Sequence, residues 1–166
     1  MAEKNTINID LGTSIRDIVR VDSVILAFNT GVDAKEWIFM GRPQDLEREL
    51  NSPHIIIEPV DQARESYSVD KKQDVLIPFL FHAWLPKEGQ DALAAYEIAD
   101  RLAKIGNDLD DDPDDQGIWE AEVVSSSIVP ENQDKKEIDH IIVRVQIVWR
   151  ENIEWLKKSK TNQYIL

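Results

Sequence analysis

Residues 75–105, VLIPFLFHAWLPKEGQDALAAYEIADRLAKI, join an apolar strand to an amphipathic helix. The strand, Val75 to Trp84, is apolar at positions facing both sides of a sheet, which is typical of a central strand. Pro78 lies within it and has no N–H to donate, so we expect a bulge or an edge-facing position there. The helix is predicted over Gln90 to Ile105, after a turn at Pro86 to Gly89.

The predicted helix has one apolar face and a glycine at its end. Its apolar residues recur at the spacing i, i+3, i+4, i+7, which places them on one side of a helix. The small side chains on this side predict close packing against a sheet. Gly106 suits the left-handed conformation that ends many helices. The face consists of Ala92, Ala95, Tyr96, Ala99, Leu102 and Ala103.

Two further strands follow the helix and predict a β-hairpin. They span Ile118 to Val129 and Ile138 to Trp149, and the polar segment 130–137 lies between them as a turn. Their apolar and polar residues alternate, which predicts one buried and one solvated face. In the second strand the apolar positions are Ile141, Val143, Val145, Ile147 and Trp149, and in the first they are Trp119, Ala121 and Val123.

The rest of the chain predicts shorter elements and a tail. In chain order they are a loose arm at 1–13, a helix at 14–28, a strand at 37–40, a helix at 44–50, a strand at 54–58, a long loop or extended hairpin tip at 61–73, and a tail at 151–166.

The resulting order, α-β-α-β-β-α-β-β plus a C-terminal tail, predicts an α+β fold. We expect a mainly antiparallel sheet of four to five strands with helices packed on one face. A chain of 166 residues suits one domain. We therefore assign residues 1–13 to an N-terminal arm, 14–150 to a single α+β domain and 151–166 to the C-terminal tail.

Composition excludes several functions. Acidic residues outnumber basic ones by 32 to 19, and the net charge of −13 argues against a protein that binds nucleic acid or an anionic membrane. The absence of cysteine removes disulfides, thiolate metal sites and thiol catalysis. Neither a leader nor a membrane segment is recognisable, so we expect synthesis in the cytoplasm. The acidity is concentrated in residues 107–122, which hold eight acids and no base.

The acidic loop within that segment invites a calcium interpretation, because hard cations bind clustered carboxylates. The EF-hand spacing fails, since from Asp108 the glycine position is Pro113 and the final glutamate position is Trp119. We expect a solvated, self-repelling loop, with cation binding as the alternative. Its acids are Asp108, Asp110, Asp111, Asp112, Asp114 and Asp115.

No catalytic constellation stands out. His54, His82 and His140 are isolated from one another in sequence, and each falls in a predicted strand, so we expect no metal site. The run Ser125 to Ser127 lacks the glycines of a nucleophile elbow, and the six glycines form no phosphate-binding loop. We therefore expect neither an enzyme nor a bound cofactor.

Five tryptophans are a further feature. Trp37, Trp84, Trp119 and Trp149 lie in or at the end of predicted strands, where core packing is the simplest interpretation. Trp155 lies beyond the last strand, beside an apolar neighbour. It could contact a partner protein, since exposed aromatics are typical of interfaces, or the tail could fold back on its own domain.

Residues 75–150 resemble the tail-terminator and tail-completion proteins of long-tailed bacteriophages. The resemblance lies in the aromatic strand VLIPFLFHAWLPKEG, the helix QDALAAYEIADRLAKI, a polar loop and the hairpin GIWEAEVVSSSIVPENQDKKEIDHIIVRVQIVWRE. The N-terminal helix and the strand HIIIEPV extend it to residues 15–150. The resemblance lies in the order of the elements and in the general character of their sequences. It rests on no unique motif, because this family has no catalytic signature.

The resemblance implies a structural virion protein that works in the tail or neck. Such a protein forms a ring, in this family a hexamer, on the end of the tail tube, stops tube polymerisation and offers the surface on which the head docks. The implied partners are further copies of the chain, the tail tube protein and the head–tail connector protein, with DNA only as passing cargo. The alternatives are a head–tail connector (neck) protein, or an acidic metal-binding module or enzyme that uses the aspartate loop.

Candidate contact residues follow from this interpretation. In the long loop, contacts to the tube or the next subunit are expected from Arg64, Tyr67, Lys71 and Lys72, for which plain solvation is the alternative. The acidic loop would line the lumen or an interface, keeping DNA from adhering. In the tail, docking on a neighbouring subunit is expected from Trp155, Leu156, Tyr164, Ile165 and Leu166.

Overall fold

A computed structural model describes residues 2–41, 52–60, 64–67, 73–111 and 118–150. Within these ranges, side chains are described for residues 10–41, 52–60, 75–111 and 118–149. The predicted helix at 44–50 and the predicted tail at 151–166 lie outside the described residues.

The described chain forms three α-helices and six strands. The helices are α1 (Ala2–Arg20), α2 (Ser23–Leu26) and α3 (Ala94–Asn107), with 3-10 turns at Ala27–Asn29, Ala34–Glu36 and Leu109–Asp111. The strands are β1 (Ile38–Met40), β2 (His54–Pro59), β3 (Arg64–Tyr67), β4 (Gln73–Pro86), β5 (Ile118–Gln133) and β6 (Lys136–Arg150).

The strands form one sheet in the order β1-β2-β4-β6-β5, and β3 pairs with the start of β4. Only β1 and β2 are parallel, and the other described pairs are antiparallel. Helices α1 and α3 pack on the sheet, α1 over β1 and β2, and α3 over β4, β5 and β6. The predicted α+β fold with a mainly antiparallel sheet is confirmed, as is the central position of β4.

The core lies between the helices and one face of the sheet. Alternate residues of each strand point to this face, so the apolar alternation in β6 becomes a continuous buried row. Each such aliphatic or aromatic side chain contributes about 1.5–3 kcal/mol when buried. The fully buried strand residues include Ile55, Ile57, Phe79, Phe81, Val143 and Val145, and they meet Ile15 and Val19 of α1 and Ile98 and Leu102 of α3.

The N-terminal prediction was wrong in its bounds. Helix α1 begins at Ala2, inside the predicted loose arm, and ends at Arg20, before the predicted end at residue 28. The reason for the break is Asp22, whose carboxylate accepts hydrogen bonds from the amides of Val24 and Ile25 and so begins a new helix. Asp22 was not recognised as a cap in the sequence because the apolar periodicity runs through it.

Two predictions about the region around β4 are resolved. The segment 61–73 contains β3, which runs antiparallel to β4, so the extended hairpin is the correct alternative for Arg64–Tyr67. At Pro78 the register with β6 is continuous, so the predicted bulge is absent there. The carbonyl of Pro78 accepts from Val60 N, and the missing N–H faces the same side, where β2 has ended.

Helix α3 packs on the sheet with part of the predicted face, since Ala95, Ala99 and Leu102 are buried. It begins at Ala94, so Ala92 lies outside it, and Tyr96 is 61% exposed. Gly106 is not a left-handed cap but lies inside the last helical turn. There a Cβ atom would come within 2.8 Å of Val145 Cγ2 and 3.1 Å of Val123 Cγ2.

The β5–β6 hairpin is longer than the sequence predicted. Its strands extend to Gln133 and Lys136, so most of the predicted turn 130–137 is paired strand. The turn consists of Asp134 and Lys135, with φ of 49° and 66°. Positive φ at both central residues is the type I′ geometry, whose twist matches the flanking strands.

Two irregularities in β5 push apolar side chains outward. The pairing with β6 shifts between Ile118 and Glu120 and again between Val123 and Ser125. The extra residues are Trp119 and Val124, which are 60% and 52% exposed. Trp119 was predicted to pack in the core, and the bulge explains why it does not.

Candidate functional site

Polar and aromatic side chains gather on the sheet face that points away from the helices, here called the open face. The strand register places Glu58 opposite Leu80, His82 opposite Ile142, and His140 opposite Trp84. Glu131 lies opposite Ile138 on the next row. Four polar residues therefore lie on successive rows of the open face, one on each of the strands β2, β4, β6 and β5. In that order they are Glu58, His82, His140 and Glu131, and each is a diagonal neighbour within reach of the next.

These four residues form a continuous series of polar contacts, here called the His–Glu network. His82 Nε2 is 3.0 Å from Glu58 Oε1, and His82 Nδ1 is 2.9 Å from His140 Nε2. His140 Nδ1 is 2.8 Å from Glu131 Oε1. Gln133 Nε2 donates to the other oxygen of Glu131 at 3.0 Å. The network therefore links side chains of four strands across the open face.

Trp84 packs within this network. Its ring stacks on His140 at a centroid separation of 4.4 Å and on His54 at 4.8 Å, and it lies 5.3 Å from His82. Ile56 and Ile138 are buried beside it. The side chains of His82 and His140 are each 13% exposed, so the tryptophan and its neighbours shield both rings from water.

The interpretation of the histidines as isolated residues was wrong. All three share the open face, and His82 and His140 are in direct contact. Alternation within each strand could have placed His82 and Trp84 on one face. The pairing of β4 with β6 could not be predicted from the sequence, because α3 and the acidic loop separate the two strands along the chain.

The acidic loop is described in part. Asp108 pairs with Lys104 at 3.0 Å, and Asp110 and Asp111 are exposed on a short turn anchored by buried Leu109. Asp112, Asp114 and Asp115 lie outside the described residues. Within the described part of the chain, no group of three or more histidines and carboxylates is arranged to hold a metal ion.

The predicted contact residues are not brought together by the described structure. Arg64 and Tyr67 lie on β3, at register positions opposite Leu76 and Gln73 of β4. The other predicted contact residues lie outside the described ranges, namely Lys71, Lys72, Trp155, Leu156, Tyr164, Ile165 and Leu166.

A groove of about 550 Å³ lies between α1 and the C-terminal half of α3. The two basic side chains that line the groove already have partners, since Arg101 binds Asp22 and Lys104 binds Asp108. Burial raises the pKa of Asp22, but hydrogen bonds from Arg101 and two backbone amides outweigh this and lower it overall. The hydrogen bond that Arg101 donates to Asp22 raises the pKa of Arg101. The groove is therefore charge-compensated and is not arranged to bind an anion.

No family model matches the chain, and no curated protein matches it. Among the described helices, none is both long and apolar enough to cross a membrane.

Proposed function

We propose that this protein is a structural virion protein that forms a ring on the end of a phage tail tube. The ring ends tube polymerisation and forms the surface on which the head docks. The proposal rests on the resemblance of residues 15–150 to tail-terminator proteins and on one structural observation, the edge position of β5. The protein acts through contacts and has no catalytic role.

Strand β5 has the properties of a subunit contact. It spans Ile118–Gln133, and in the described sheet its only hydrogen-bonded neighbour is β6. The outer edge of such a strand offers backbone N–H and C=O groups to another chain. A ring requires two different complementary patches on each subunit, and strand addition to a neighbour is one way to provide them.

The contact would be confined to a short part of β5. Bulges at Trp119 and Val124 interrupt the strand, and Pro130 has no N–H to donate. The regular stretch between Val124 and Pro130 is therefore the segment available for pairing. Confining the edge in this way limits uncontrolled edge-to-edge association, which an uninterrupted strand of this length would promote.

The charge distribution supports the same function. Glu120 and Glu122 are exposed on β5, and the acidic segment 107–122 precedes and enters this strand. Acidic side chains around a channel repel the phosphate backbone, so DNA passes without adhering. The DNA is cargo in this proposal and has no binding site on the protein.

The test is assembly, measured for the full chain by itself and with preassembled tail tubes. Light scattering coupled to gel filtration and electron microscopy should reveal rings, or caps on tubes that no longer elongate. Val124→Lys, at the N-terminal limit of this stretch, should abolish both, because a lysine on an edge strand opposes pairing with another strand. Val21→Lys is the matched control, because Val21 is 77% exposed in the turn after α1, away from β5.

Three results would change the proposal. A monomer that neither forms rings nor binds tubes contradicts the ring. If rings persist in Val124→Lys, the proposed function stands but the proposed contact through β5 is refuted. Binding to the head connector without binding to the tube favours the neck-protein alternative.

A further inference from the structure

Helix α3 runs alongside the outer edge of β5. At one end, Tyr96 and Ile128 line a common cavity, and at the other end the N–H of Val123 donates to Asn107 Oδ1 at 2.9 Å. The two spans agree in length, because eleven helical residues and five strand residues each cover about 16 Å. The helix and the strand therefore lie side by side and run in opposite directions.

The hydrogen bond of Val123 shows which part of the β5 edge is available to a partner. Because this N–H donates to a side chain of α3, it points away from β6, and Asn107 occupies it there. Beyond the bulge at Val124, residues 125–129 have β6 as their only strand neighbour in the described part of the sheet. An exposed strand edge can accept a further strand through backbone hydrogen bonds. A partner strand therefore has to pair beyond the bulge.

One row of α3 faces this available stretch. Tyr96, Asp100, Ala103 and Asn107 follow one another at spacings of three or four residues, so they lie on one side of the helix. Asp100 is exposed and has no ion-pair partner among the described residues. The cavity that Tyr96 and Ile128 line measures about 330 Å³. Residues 125–129 and this row of α3 together are here called the edge site.

The spacing within the edge site defines the segment that fits it. Along the helix, Asp100 lies about 6 Å beyond Tyr96. On one side of an added strand, side chains recur every second residue, about 6.6 Å apart. A fitting strand therefore carries an apolar residue for the cavity and a basic residue two positions later. The tail has this spacing at Trp155 and Lys157, in the segment WLKKSK at 155–160, which holds three lysines and no acid.

We propose that the tail of one copy of this chain adds as a strand to the edge site of the next copy, with Trp155 in the cavity and Lys157 beside Asp100. The inference rests on the proposed function, because it names the segment that joins neighbouring subunits of the ring. Each subunit then carries the two different complementary patches that a ring requires, the tail segment and the edge site. Charge favours the pairing, since the tail lysines meet a carboxylate that the subunit itself leaves unpaired.

The length of the chain requires that the tail come from another copy. Ile128 pairs with Ile141 of β6, and Arg150 lies nine residues further along that strand, a distance of about 30 Å. Trp155 follows Arg150 by only five residues, which span at most about 18 Å when fully extended. Trp155 therefore cannot reach the cavity of its own subunit, and the occupant is a second copy.

The first experiment measures self-association of full-length variants by analytical ultracentrifugation. Asp100→Lys and Lys157→Asp should each weaken association by about tenfold, because an attraction becomes a repulsion. An equimolar mixture of the two variants should associate like wild type, since every edge site can then meet a tail of opposite charge. Glu36→Lys is the matched control, because Glu36 is exposed next to β1, at the opposite edge of the sheet, and it should leave association unchanged.

The second experiment tests docking without ring formation. A fluorescently labelled peptide of residues 151–160 is titrated with the full-length Trp155→Ala protein, whose edge site is intact, and binding is followed by anisotropy. The peptide should bind, and its Lys157→Asp version should bind about tenfold more weakly. On protein that also carries Asp100→Lys, the order of the two peptides should reverse.

The outcomes separate this proposal from the proposed function. A peptide that does not bind overturns tail docking, and so does a mixture of Asp100→Lys and Lys157→Asp that stays dissociated. Rings that persist in Trp155→Ala also overturn tail docking but leave the ring function in place. Peptide binding by a wild-type protein that neither forms rings nor caps tubes supports the edge site and contradicts the ring.

Discussion

Replacing Gly106 by alanine should destabilise the protein, although alanine is the better helix former. Alanine is favoured over glycine within a helix by about 0.5–1 kcal/mol. At Gly106, however, the new methyl group would meet Val145 Cγ2 at 2.8 Å and Val123 Cγ2 at 3.1 Å. Both neighbours are β-branched side chains of the sheet with few alternative rotamers.

The magnitude follows from the difference between the two effects. Adding a methyl group to a well-packed core costs about 1–3 kcal/mol. Subtracting the helix-propensity gain, Gly106→Ala should lower the free energy of unfolding by roughly 1 kcal/mol, or about 2–4 °C in Tm. Urea denaturation followed by circular dichroism resolves a change of this size.

The chain offers a matched control in Gly12 of α1. A Cβ atom there would lie 3.0 Å from Met40 Sδ and 3.2 Å from Met40 Cγ, near the end of a flexible side chain that can move aside. Gly12→Ala should therefore be neutral or stabilising by up to about 1 kcal/mol. A Gly106→Ala variant as stable as Gly12→Ala would refute the close packing of α3 on the sheet. In a Val145→Ala background, Gly106→Ala should instead be stabilising.

Two further predictions concern local features. Asp22→Asn keeps a capping side chain but removes the charge that binds Arg101. Because the pKa of Asp22 is lowered, its stabilisation is present above the ordinary aspartate pKa and is lost as the pH falls. Wild type should therefore lose more stability than Asp22→Asn in urea titrations below about pH 4, and equal losses would contradict the ion pair. Lys135→Gly should stabilise the protein by about 1 kcal/mol, since Lys135 has φ of 66°, a conformation that glycine adopts without strain. Lys136→Gly in β6 should be destabilising, and thermal unfolding of the pair checks the turn assignment.

The sequence was most informative where one pattern dominated. The alternation in β6 identified its buried residues, and the apolar stretch of β4 indicated its central position. In α3 the alanine pattern predicted a helix, but its face was assigned wrongly at Tyr96. Periodicity reports which residues share a side of a helix, and it cannot distinguish the buried edge of an apolar stripe from its exposed edge.

The candidate site was much less predictable, because it depends on strand pairing. His82 and His140 are 58 residues apart in sequence, and their contact requires both the β4–β6 pairing and its register. A shift of one residue would move either ring to the other face of the sheet. Carboxylates at Glu58 and Glu131 were indistinguishable from other surface acids until that register was known.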